Sequence, residues 1–239
     1  MRPPYEAVFF DAGQTLIRVK ESVGHVYAAV AGKYGVVAAP ETIEGAFRRV
    51  WEERRDALHE CSSDALERQW WHDLVRDAFS MAGGFQDFQG SFGDFFAELY
   101  DYFRSPGPWQ VFDDVGPALA ALARLGIRRA VVSNWDSTLA GLLDRLGLVH
   151  HFEFVLTSAQ AGHRKPDPRI FHQALARMGL APGRVVHVGD SYEDDFLGAR
   201  AARVKPMMLD RNGSMDGPNP SIRSLAELPD WLEGRCAGT

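Results

Sequence analysis

The chain has 239 residues, of which 46% are hydrophobic and 24% are charged, a composition typical of a globular protein with a substantial core and not of a disordered chain. Lys and Arg number 26 against 32 Asp and Glu, which gives a net charge of -6. This acidic balance argues against binding to the phosphate backbone of nucleic acids, so we expect no nucleic-acid partner.

The cysteines and the apolar runs bear on location. Cys61 and Cys236 are far apart in the sequence and have no metal-binding spacing, which favours a reducing compartment over a disulfide-linked secreted protein. No apolar run approaches the roughly 18 residues of a membrane span, and the N-terminus has no signal-peptide pattern. We expect a cytoplasmic protein with no membrane partner.

The chain opens with a short apolar run from Ala7 to Phe10 that stops at Asp11, which predicts a buried strand. Between about Ser22 and Arg104 the apolar residues recur at three- and four-residue intervals. This period predicts about four amphipathic helices and no strand. A breaker cluster, Ser105 to Pro108, ends the helical segment.

Beyond the breaker cluster, strands and helices alternate. The predicted strands are Arg129–Val132, Phe152–Leu156, Val185–Val188 and Pro206–Leu209. The predicted helices are Val115–Leu125, Leu139–Leu146, Arg169–Met178 and Asp194–Ala202. Gly126, Gly147 and Gly179 follow three of these helices, where C-terminal caps are expected. The alternation predicts an α/β core of parallel βαβ units that is interrupted, after its first strand, by an all-helical insert.

Polar residues follow the predicted strands, at the edge where open parallel sheets bind ligands. Asp11 follows the first strand, Ser133 and Asn134 follow the second, and Asp190 follows the fourth. Lys165 lies beyond the third strand, in a chain with only four lysines. Carboxylates with a hydroxyl and an ammonium suit a phosphoryl group and a divalent metal. The structural alternatives are turn residues for Asp11 and Asp190 and a helix N-cap for Ser133.

Four segments carry a resemblance to a known family. FFDAGQTL, VVSNWD, RKPDPRIF and VGDSYEDD occur in that order and resemble the motifs of the haloacid dehalogenase-like hydrolases, in the subgroup with a helical C1-type cap inserted after the first strand. The resemblance extends from about Tyr5 to Leu232. It implies a Rossmann-like parallel-sheet core formed by residues 1–17 and 109–239, and a helical cap formed by residues 18–108.

The resemblance also implies roles for the polar residues. Asp11 is the expected nucleophile, which attacks phosphorus and becomes an aspartyl-phosphate. Ser133 and Lys165 are expected to bind the phosphoryl oxygens and to neutralise charge, with Thr15 and Asn134 as further substrate-binding residues. The implied substrate is a small phosphorylated molecule, and the sequence leaves the oligomeric state open.

The implied cofactor is Mg²⁺. Its expected ligands are Asp11, the backbone carbonyl of Gly13 and Asp190, with waters completing the shell. Asp195 matches the second acid of the family's fourth motif, and it is expected in the metal site, where it orients a metal-bound water or Lys165. The metal would screen the repulsion between a carboxylate nucleophile and a phosphate dianion.

Gly13 departs from the commonest phosphatase motif of the family, Asp-x-Asp-x-Thr, whose second Asp protonates the leaving oxygen. Loss of a general acid typically lowers the rate by about 10²–10⁴-fold. The first hypothesis is a phosphatase that acts on an acyl or aryl phosphate, or that borrows an acid such as His25 from the cap.

Two other hypotheses stay open beside the phosphatase. A dehalogenase also lacks the second Asp, because a halide leaves without a proton. A protein that binds a phosphorylated ligand with little turnover would keep the same residues for binding alone. Gly189 and Asp190 favour the phosphatase, since the dehalogenase branch usually carries a Ser-x-Asn arrangement there and works without metal.

Overall fold

The computed structural model describes residues 4–60, 63–213 and 219–234. The chain divides into two compact units: unit 1 comprises Met1–Arg18 and Val111–Thr239, and unit 2 comprises Val19–Gln110. Cys61 and Cys236 lie outside the described residues, so the compartment inferred from them stays a prediction. Across the described ranges, no helix has both the length and the apolar character that crossing a membrane requires.

The strands and helices alternate in unit 1, and unit 2 is mainly helical. The strands are β1 (Ala7–Phe10), β2 (Ile17–Val19), β3 (Trp109–Val111), β4 (Arg128–Ser133), β5 (Val155–Thr157), β6 (Val185–Gly189), β7 (Lys205–Leu209) and β8 (Ser221–Ile222). The α-helices are α1 (Val23–Gly32), α2 (Pro40–Arg54), α3 (Asp64–Met81), α4 (Phe92–Phe103), α5 (Val115–Arg124), α6 (Leu139–Arg145), α7 (Ser158–Ala161), α8 (Pro168–Met178), α9 (Gly198–Ala201) and α10 (Leu228–Leu232). A π-helical segment, Tyr192–Leu197, precedes α9.

A six-stranded sheet with the order β5–β4–β1–β6–β7–β8 forms the centre of unit 1. Every pairing in it is parallel. All residues of β1 and β6 are buried, as expected for parallel strands covered on both faces. The chain turns to one side of β1 for β4 and β5 and to the other side for β6 to β8, so the order of the strands reverses at β1. The predicted α/β fold with a Rossmann-like sheet is confirmed.

Local sequence signals set the ends of the helices in unit 1. Asp167 caps α8, because its side chain accepts a hydrogen bond from a backbone amide in the first turn. Gly126, Gly147 and Gly179 follow α5, α6 and α8 with φ of 71°, 75° and 67°. Glycine adopts these left-handed values without strain, so the predicted helix ends are confirmed.

Two elements of unit 1 differ from their predicted bounds. The strand expected over Phe152–Leu156 is observed at Val155–Thr157, because the amide of Phe152 donates to a preceding 3-10 turn. The helix expected over Asp194–Ala202 begins earlier, in the π-helical segment, since the Ser191 side chain caps that segment. The periodicity does not predict β2, β3, β8, α7 or α10, because runs this short carry little period.

Unit 2 contains the helices predicted between Ser22 and Arg104, which are α1 to α4. Ser22 and Ser63 cap α1 and α3 by accepting hydrogen bonds from backbone amides. The buried interior is strongly aromatic, with Tyr27, Phe79, Phe88, Phe92, Phe95 and Phe96. The aromatic rings therefore supply much of the apolar area that holds these helices together.

Three indoles lie close together in unit 2. The ring centroids of Trp51, Trp70 and Trp71 are 5.6, 5.7 and 5.0 Å apart in pairs. The rings of Trp51 and Trp71 stack, whereas Trp70 meets both of them edge-on. These are the two favoured geometries for aromatic contacts.

A cluster of polar residues in unit 1 lies around the loop that follows β7. The guanidinium of Arg211 pairs with both carboxylate oxygens of Asp114, with Nη1–Oδ2 at 2.9 Å and Nη2–Oδ1 at 3.1 Å. Arg211 also donates to the carbonyls of Gln14 at 3.3 Å and Thr15 at 2.8 Å, and Ser224 Oγ donates to Asp114 at 2.7 Å. This set, termed the Arg211 clamp, fixes the loop that follows β1.

Candidate active site

The carboxyl ends of β1, β4 and β6 bring polar residues to one edge of the sheet. Asp11 follows β1, Ser133 ends β4, and Asp190 follows β6. Because β1 pairs in parallel with both β4 and β6, these three ends meet where the strand order reverses. Open α/β sheets bind their ligands at this point.

Asp11 shares its Oδ1 between two donors. Ser133 Oγ lies 2.9 Å from it, and Lys165 Nζ lies 2.7 Å from it. Lys165 is only 1% exposed, and an ammonium so deeply buried requires paired charges. Ser133 and Lys165 are thus both hydrogen-bond donors to Asp11. The alternative role of Ser133, as a helix N-cap, is not observed.

Asp195 is the second partner of the buried ammonium. Its Oδ1 lies 2.5 Å from Lys165 Nζ and 2.8 Å from Nε2 of His187. Its Oδ2 accepts a hydrogen bond from the Ser191 amide at 3.0 Å. Both carboxylate oxygens of Asp195 are thus engaged by groups of unit 1.

The side chain of Asn134 fixes the main chain of Lys165. Asn134 Nδ2 donates to the Lys165 carbonyl at 2.9 Å, and the Lys165 amide donates to Asn134 Oδ1 at 2.8 Å. On the next residue, Ser158 Oγ hydrogen-bonds both the amide and the carbonyl of Trp135, each at 3.1 Å. The loop after β4 is therefore tied to the segment that carries the lysine, and this contact of Asn134 is one that the sequence does not predict.

Three carboxylates lie around one ammonium at this edge. Asp11, Asp190 and Asp195 each offer an oxygen, and these oxygens lie within 4.8 Å of one another. With Lys165 they are termed the acidic cluster. Burial, followed by the charges of Asp11 and Asp195, raises the pKa of Asp190 to about 8. Burial likewise raises the pKa of Asp11, although Lys165 opposes this shift.

The lysine and Asp195 form a charged pair despite their burial. Burial alone would lower the pKa of Lys165, but the carboxylates of Asp11 and Asp195 outweigh it and raise that pKa. Burial would raise the pKa of Asp195, but the charge of Lys165 and the hydrogen bond from His187 outweigh it and lower that pKa. The ammonium therefore compensates Asp195 and part of Asp11, and ionisation of Asp190, whose pKa is about 8, leaves negative charge in excess.

The acidic cluster fits a hard divalent cation. Carboxylate oxygens are the ligands that Mg²⁺ prefers. A cation among them would offset the like-charge repulsion that contributes to the raised pKa of Asp190. The residues present thus suit the Mg²⁺ that the family motifs imply.

Thr15 and Gly13 lie in the loop after β1. Thr15 is fully buried, and within the described part of the chain its hydroxyl has no hydrogen-bond partner. Gly13 forms an isolated parallel bridge with Ile17. A Cβ built at Gly13 would lie 3.5 Å from a ring carbon of Trp135, an ordinary contact distance, and the backbone there is outside the left-handed region. The fold therefore does not require glycine at this position.

His25, which the sequence suggests as a substitute acid, belongs to α1 in unit 2. Its side chain is exposed, and its Nδ1 lies 2.8 Å from Oγ of the capping Ser22. The observed contact is a local one at the beginning of the helix.

Two residues of β6 complete the site: His187, which the sequence does not indicate, and Gly189, which the sequence indicates only as part of the fourth motif. His187 lies against Asp195, and a Cβ at Gly189 would be 2.1 Å from Asp195 Cγ, so only glycine fits. His187 interrupts the apolar run Val185–Val188. A polar side chain on a strand buried on both faces needs a partner, and this is the signal that could have pointed to it.

The comparisons with known proteins agree with the geometry. A family model described as haloacid dehalogenase-like hydrolase matches residues 5–203. Haloacid dehalogenase-like hydrolase domain-containing protein 3 of Danio rerio is 36% identical over 240 residues, which cover 98% of this chain and 98% of that protein.

Two solved structures are similar over nearly the whole chain. A HAD phosphatase from Thermococcus onnurineus has a TM-score of 0.69 at 25% identity and covers 96% of this chain and 98% of its own. A 2-haloacid dehalogenase from Pseudomonas syringae has a TM-score of 0.61 at 27% identity and covers 97% of this chain and 99% of its own. The fold is common to both chemistries, so the choice between them depends on the residues of the site.

Proposed function

The chain belongs to the haloacid dehalogenase-like hydrolase family, and we propose that it is a magnesium-dependent phosphatase for a small phosphorylated metabolite, acting through an aspartyl-phosphate on Asp11. Unit 1 is the proposed catalytic core and unit 2 the proposed helical cap. The acidic cluster carries the proposal, because three carboxyl groups share one ammonium, and the pKa of about 8 for Asp190 means that its ionised form is favoured only when a further cation lies beside it. Displacement of a halide needs no such cation.

The proposed ligands of Mg²⁺ are Asp11, Asp190 and the carbonyl of Gly13. Asp195 is assigned mainly to Lys165, because both of its oxygens already accept hydrogen bonds, and its contact with the metal would run through water. When bound, the cation supplies Lewis-acid stabilisation of the charge on the phosphoryl oxygens.

Asp11 supplies the attacking oxygen. A bond forms between this oxygen and phosphorus while the bond from phosphorus to the leaving oxygen breaks, and the leaving oxygen keeps the electron pair. A water then attacks phosphorus and the bond from phosphorus to Asp11 breaks, so that phosphate leaves as H₂PO₄⁻ with both protons of the water and the carboxylate is restored. Ser133 and Lys165 both donate to Asp11 Oδ1 before substrate binds, which places them to donate to the phosphoryl oxygens.

Gly13 restricts the class of substrate in this proposal. Glycine has no side chain to protonate the leaving oxygen, so a leaving group that is stable as an anion is favoured. Acyl and aryl phosphates have such leaving groups, whereas alkyl phosphates release a strongly basic alkoxide. We therefore expect the rate to fall steeply as the pKa of the leaving group rises.

The test is a substrate panel measured with Mg²⁺ and again with EDTA. An aryl phosphate and acetyl phosphate are expected to be hydrolysed only with Mg²⁺, an alkyl phosphate slowly, and 2-chloropropionate not at all. Halide release that is unaffected by EDTA would contradict the proposal and favour the dehalogenase. Binding of a phosphate mimic with no turnover of any substrate would favour a ligand-binding protein.

A substitution at Gly13 tests the missing acid directly. Gly13→Asp places a carboxyl group at a position where a Cβ makes only an ordinary contact, and it is expected to raise alkyl-phosphate hydrolysis by about 10²–10⁴-fold. Gly13→Asn has nearly the same size without an acidic proton and is the matched control. Equal rates for both variants would mean that the proton comes from another group.

A further inference from the structure

His187 is a buried titratable residue that the mechanism above does not use. It lies on β6, 1% exposed, with its ring edge-on to Phe171 of α8 at a centroid distance of 4.9 Å. Alternate residues of a strand share a face, so His187 and Gly189 lie on the same side of the sheet. Asp195 approaches that side, and it contacts both residues.

Three donors hold the carboxylate of Asp195. Lys165 Nζ and His187 Nε2 share Oδ1 at 2.5 and 2.8 Å, and the Ser191 amide holds Oδ2 at 3.0 Å. Gly189 lets the carboxylate come this close to the strand, because a Cβ there would collide with it. The position of Asp195 is therefore set by the strand as well as by the lysine.

The protonation of this pair follows from the charges around it. Asp195 is ionised beside Lys165 and can only accept hydrogen bonds, so the proton of the contact belongs to His187 Nε2. Burial lowers the pKa of His187, which favours the neutral ring. The Nδ1 atom has no partner among the described residues. His187 thus donates a hydrogen bond to Asp195, and the negative charge of Asp195 is compensated by Lys165.

We propose that His187 is a positioning residue, which fixes Asp195 by the hydrogen bond at Nε2 and through it holds the ammonium of Lys165 against the nucleophile Asp11. Lys165 Nζ lies between the two carboxylates, 2.7 Å from Asp11 and 2.5 Å from Asp195. A carboxylate freed from His187 could turn with the ammonium and draw it away from the reacting oxygen. The proposal rests on the proposed phosphatase function.

The kinetic test compares two substitutions of similar size. His187→Leu removes the donor and is expected to lower kcat by about 10–100-fold, with KM changed by less than about threefold, because the proposed mechanism gives neither His187 nor Asp195 a contact with the substrate. His187→Gln can present an amide N–H near the same point and is expected to recover most of kcat. Val185→Ala, on the same face of β6, is the control for a purely structural effect. Equal losses in the Leu and Gln variants, or a comparable loss in the Val185 variant, would overturn the proposal.

A double substitution tests whether His187 acts through Asp195. In an Asp195→Asn background, His187→Leu is expected to lower kcat no further, since the group it positions is already changed. Full multiplication of the two losses would mean that His187 acts by another route.

Nuclear magnetic resonance separates this proposal from the phosphatase function. The chain has only four lysines, so selective ¹⁵N labelling can resolve the Lys165 Nζ signal in the metal-free protein. The expected results are an Nε2–H ring for His187 in the wild type, a shifted or broadened Lys165 signal in His187→Leu, and a near-native signal in His187→Gln. An unchanged Lys165 signal in His187→Leu would refute the positioning role whether or not the protein hydrolyses phosphates. Failure of the substrate panel with these signals as expected would refute the phosphatase function alone.

Discussion

Unit 1 holds two polar clusters that differ in their balance of charge. In the Arg211 clamp one guanidinium meets one carboxylate through two hydrogen bonds, and the remaining lone pairs of Asp114 accept from Ser224 Oγ and the Leu225 amide. The acidic cluster has three carboxylates around one ammonium. The clamp is a closed, neutral structural contact, whereas the acidic cluster has more carboxyl groups than its single ammonium can pair with, and in our proposal Mg²⁺ supplies the further positive charge.

The two clusters meet at the loop after β1. Arg211 donates to the carbonyls of Gln14 and Thr15, which lie just beyond Asp11. The neutral cluster thereby orders the backbone next to the charged one. Substitutions in the clamp should therefore lower stability with little effect on activity, whereas substitutions in the acidic cluster should change activity as well.

The largest contrast is expected in activity when the two aspartates are each changed to asparagine. Asp11→Asn removes the proposed attacking oxygen and should lower kcat on the order of 10⁴-fold or more, with the melting temperature unchanged or raised because one like charge is lost. Asp114→Asn should keep kcat within about threefold of the wild type, since it is outside the acidic cluster. Steady-state kinetics on acetyl phosphate measures both, and a folded Asp11 variant that retains activity would remove Asp11 as the nucleophile.

The largest effect on stability is expected at Lys165. Lys165→Met leaves the three carboxylates without their cation, and breaking a buried ion pair in this way costs about 3–5 kcal/mol. Guanidinium chloride unfolding without Mg²⁺ measures the loss. The Lys165→Met, Asp195→Asn double variant is the control and should recover part of it, because one unpaired charge is removed with the lysine. No recovery would indicate that the lysine stabilises by packing rather than by charge.

A smaller effect on stability is expected in the Arg211 clamp. Asp114→Asn weakens several hydrogen bonds at once and should lower the free energy of unfolding by about 1–3 kcal/mol. The same unfolding experiment measures it. Ser224→Ala, which removes one of these hydrogen bonds, should cost less than the Asp114 variant. A larger loss from Ser224→Ala would contradict the view of Asp114 as the centre of the clamp.

The pH dependence of the clamp should be the smallest effect. Burial tends to raise the pKa of Asp114, but the hydrogen bonds from Arg211 and Ser224 outweigh it, and the pKa is lowered. The stability that a carboxyl with a lowered pKa contributes is present above its unfolded pKa of about 3.9 and is lost as pH falls through the folded pKa. The difference in unfolding free energy between wild type and Asp114→Asn should therefore be constant from about pH 8 to 5 and shrink below about pH 4. Urea unfolding at each pH measures it, and a difference that grows in acid would contradict the assignment.

Much of the fold could be predicted because its signals are local. The apolar runs that end at Asp11, Ser133 and Asp190 indicate strands, and parallel topology alone then brings their ends together. The limits of β5 could not be predicted, since the Phe152 amide donates a hydrogen bond to the preceding 3-10 turn instead of beginning the strand.

The site was predictable in its residue types but not in its contacts. That Asn134 holds the main chain of Lys165 depends on two loops meeting in space. Asp195 can approach His187 because Gly189 has no side chain and because Asp195 lies in the π-helical segment that follows β6. Such contacts depend on which residues lie close together in the folded structure, and the periodicity of the sequence does not predict them.

The three adjacent indoles of unit 2 give the molecule an optical property. Trp51, Trp70 and Trp71 are half of the six tryptophans of the chain, and rings this close and fixed in orientation couple their electronic transitions. Their near-ultraviolet circular dichroism should be strong and should vanish when the packing of unit 2 is lost. In variants with substitutions in unit 1, this circular dichroism signal can thus monitor whether unit 2 is still folded.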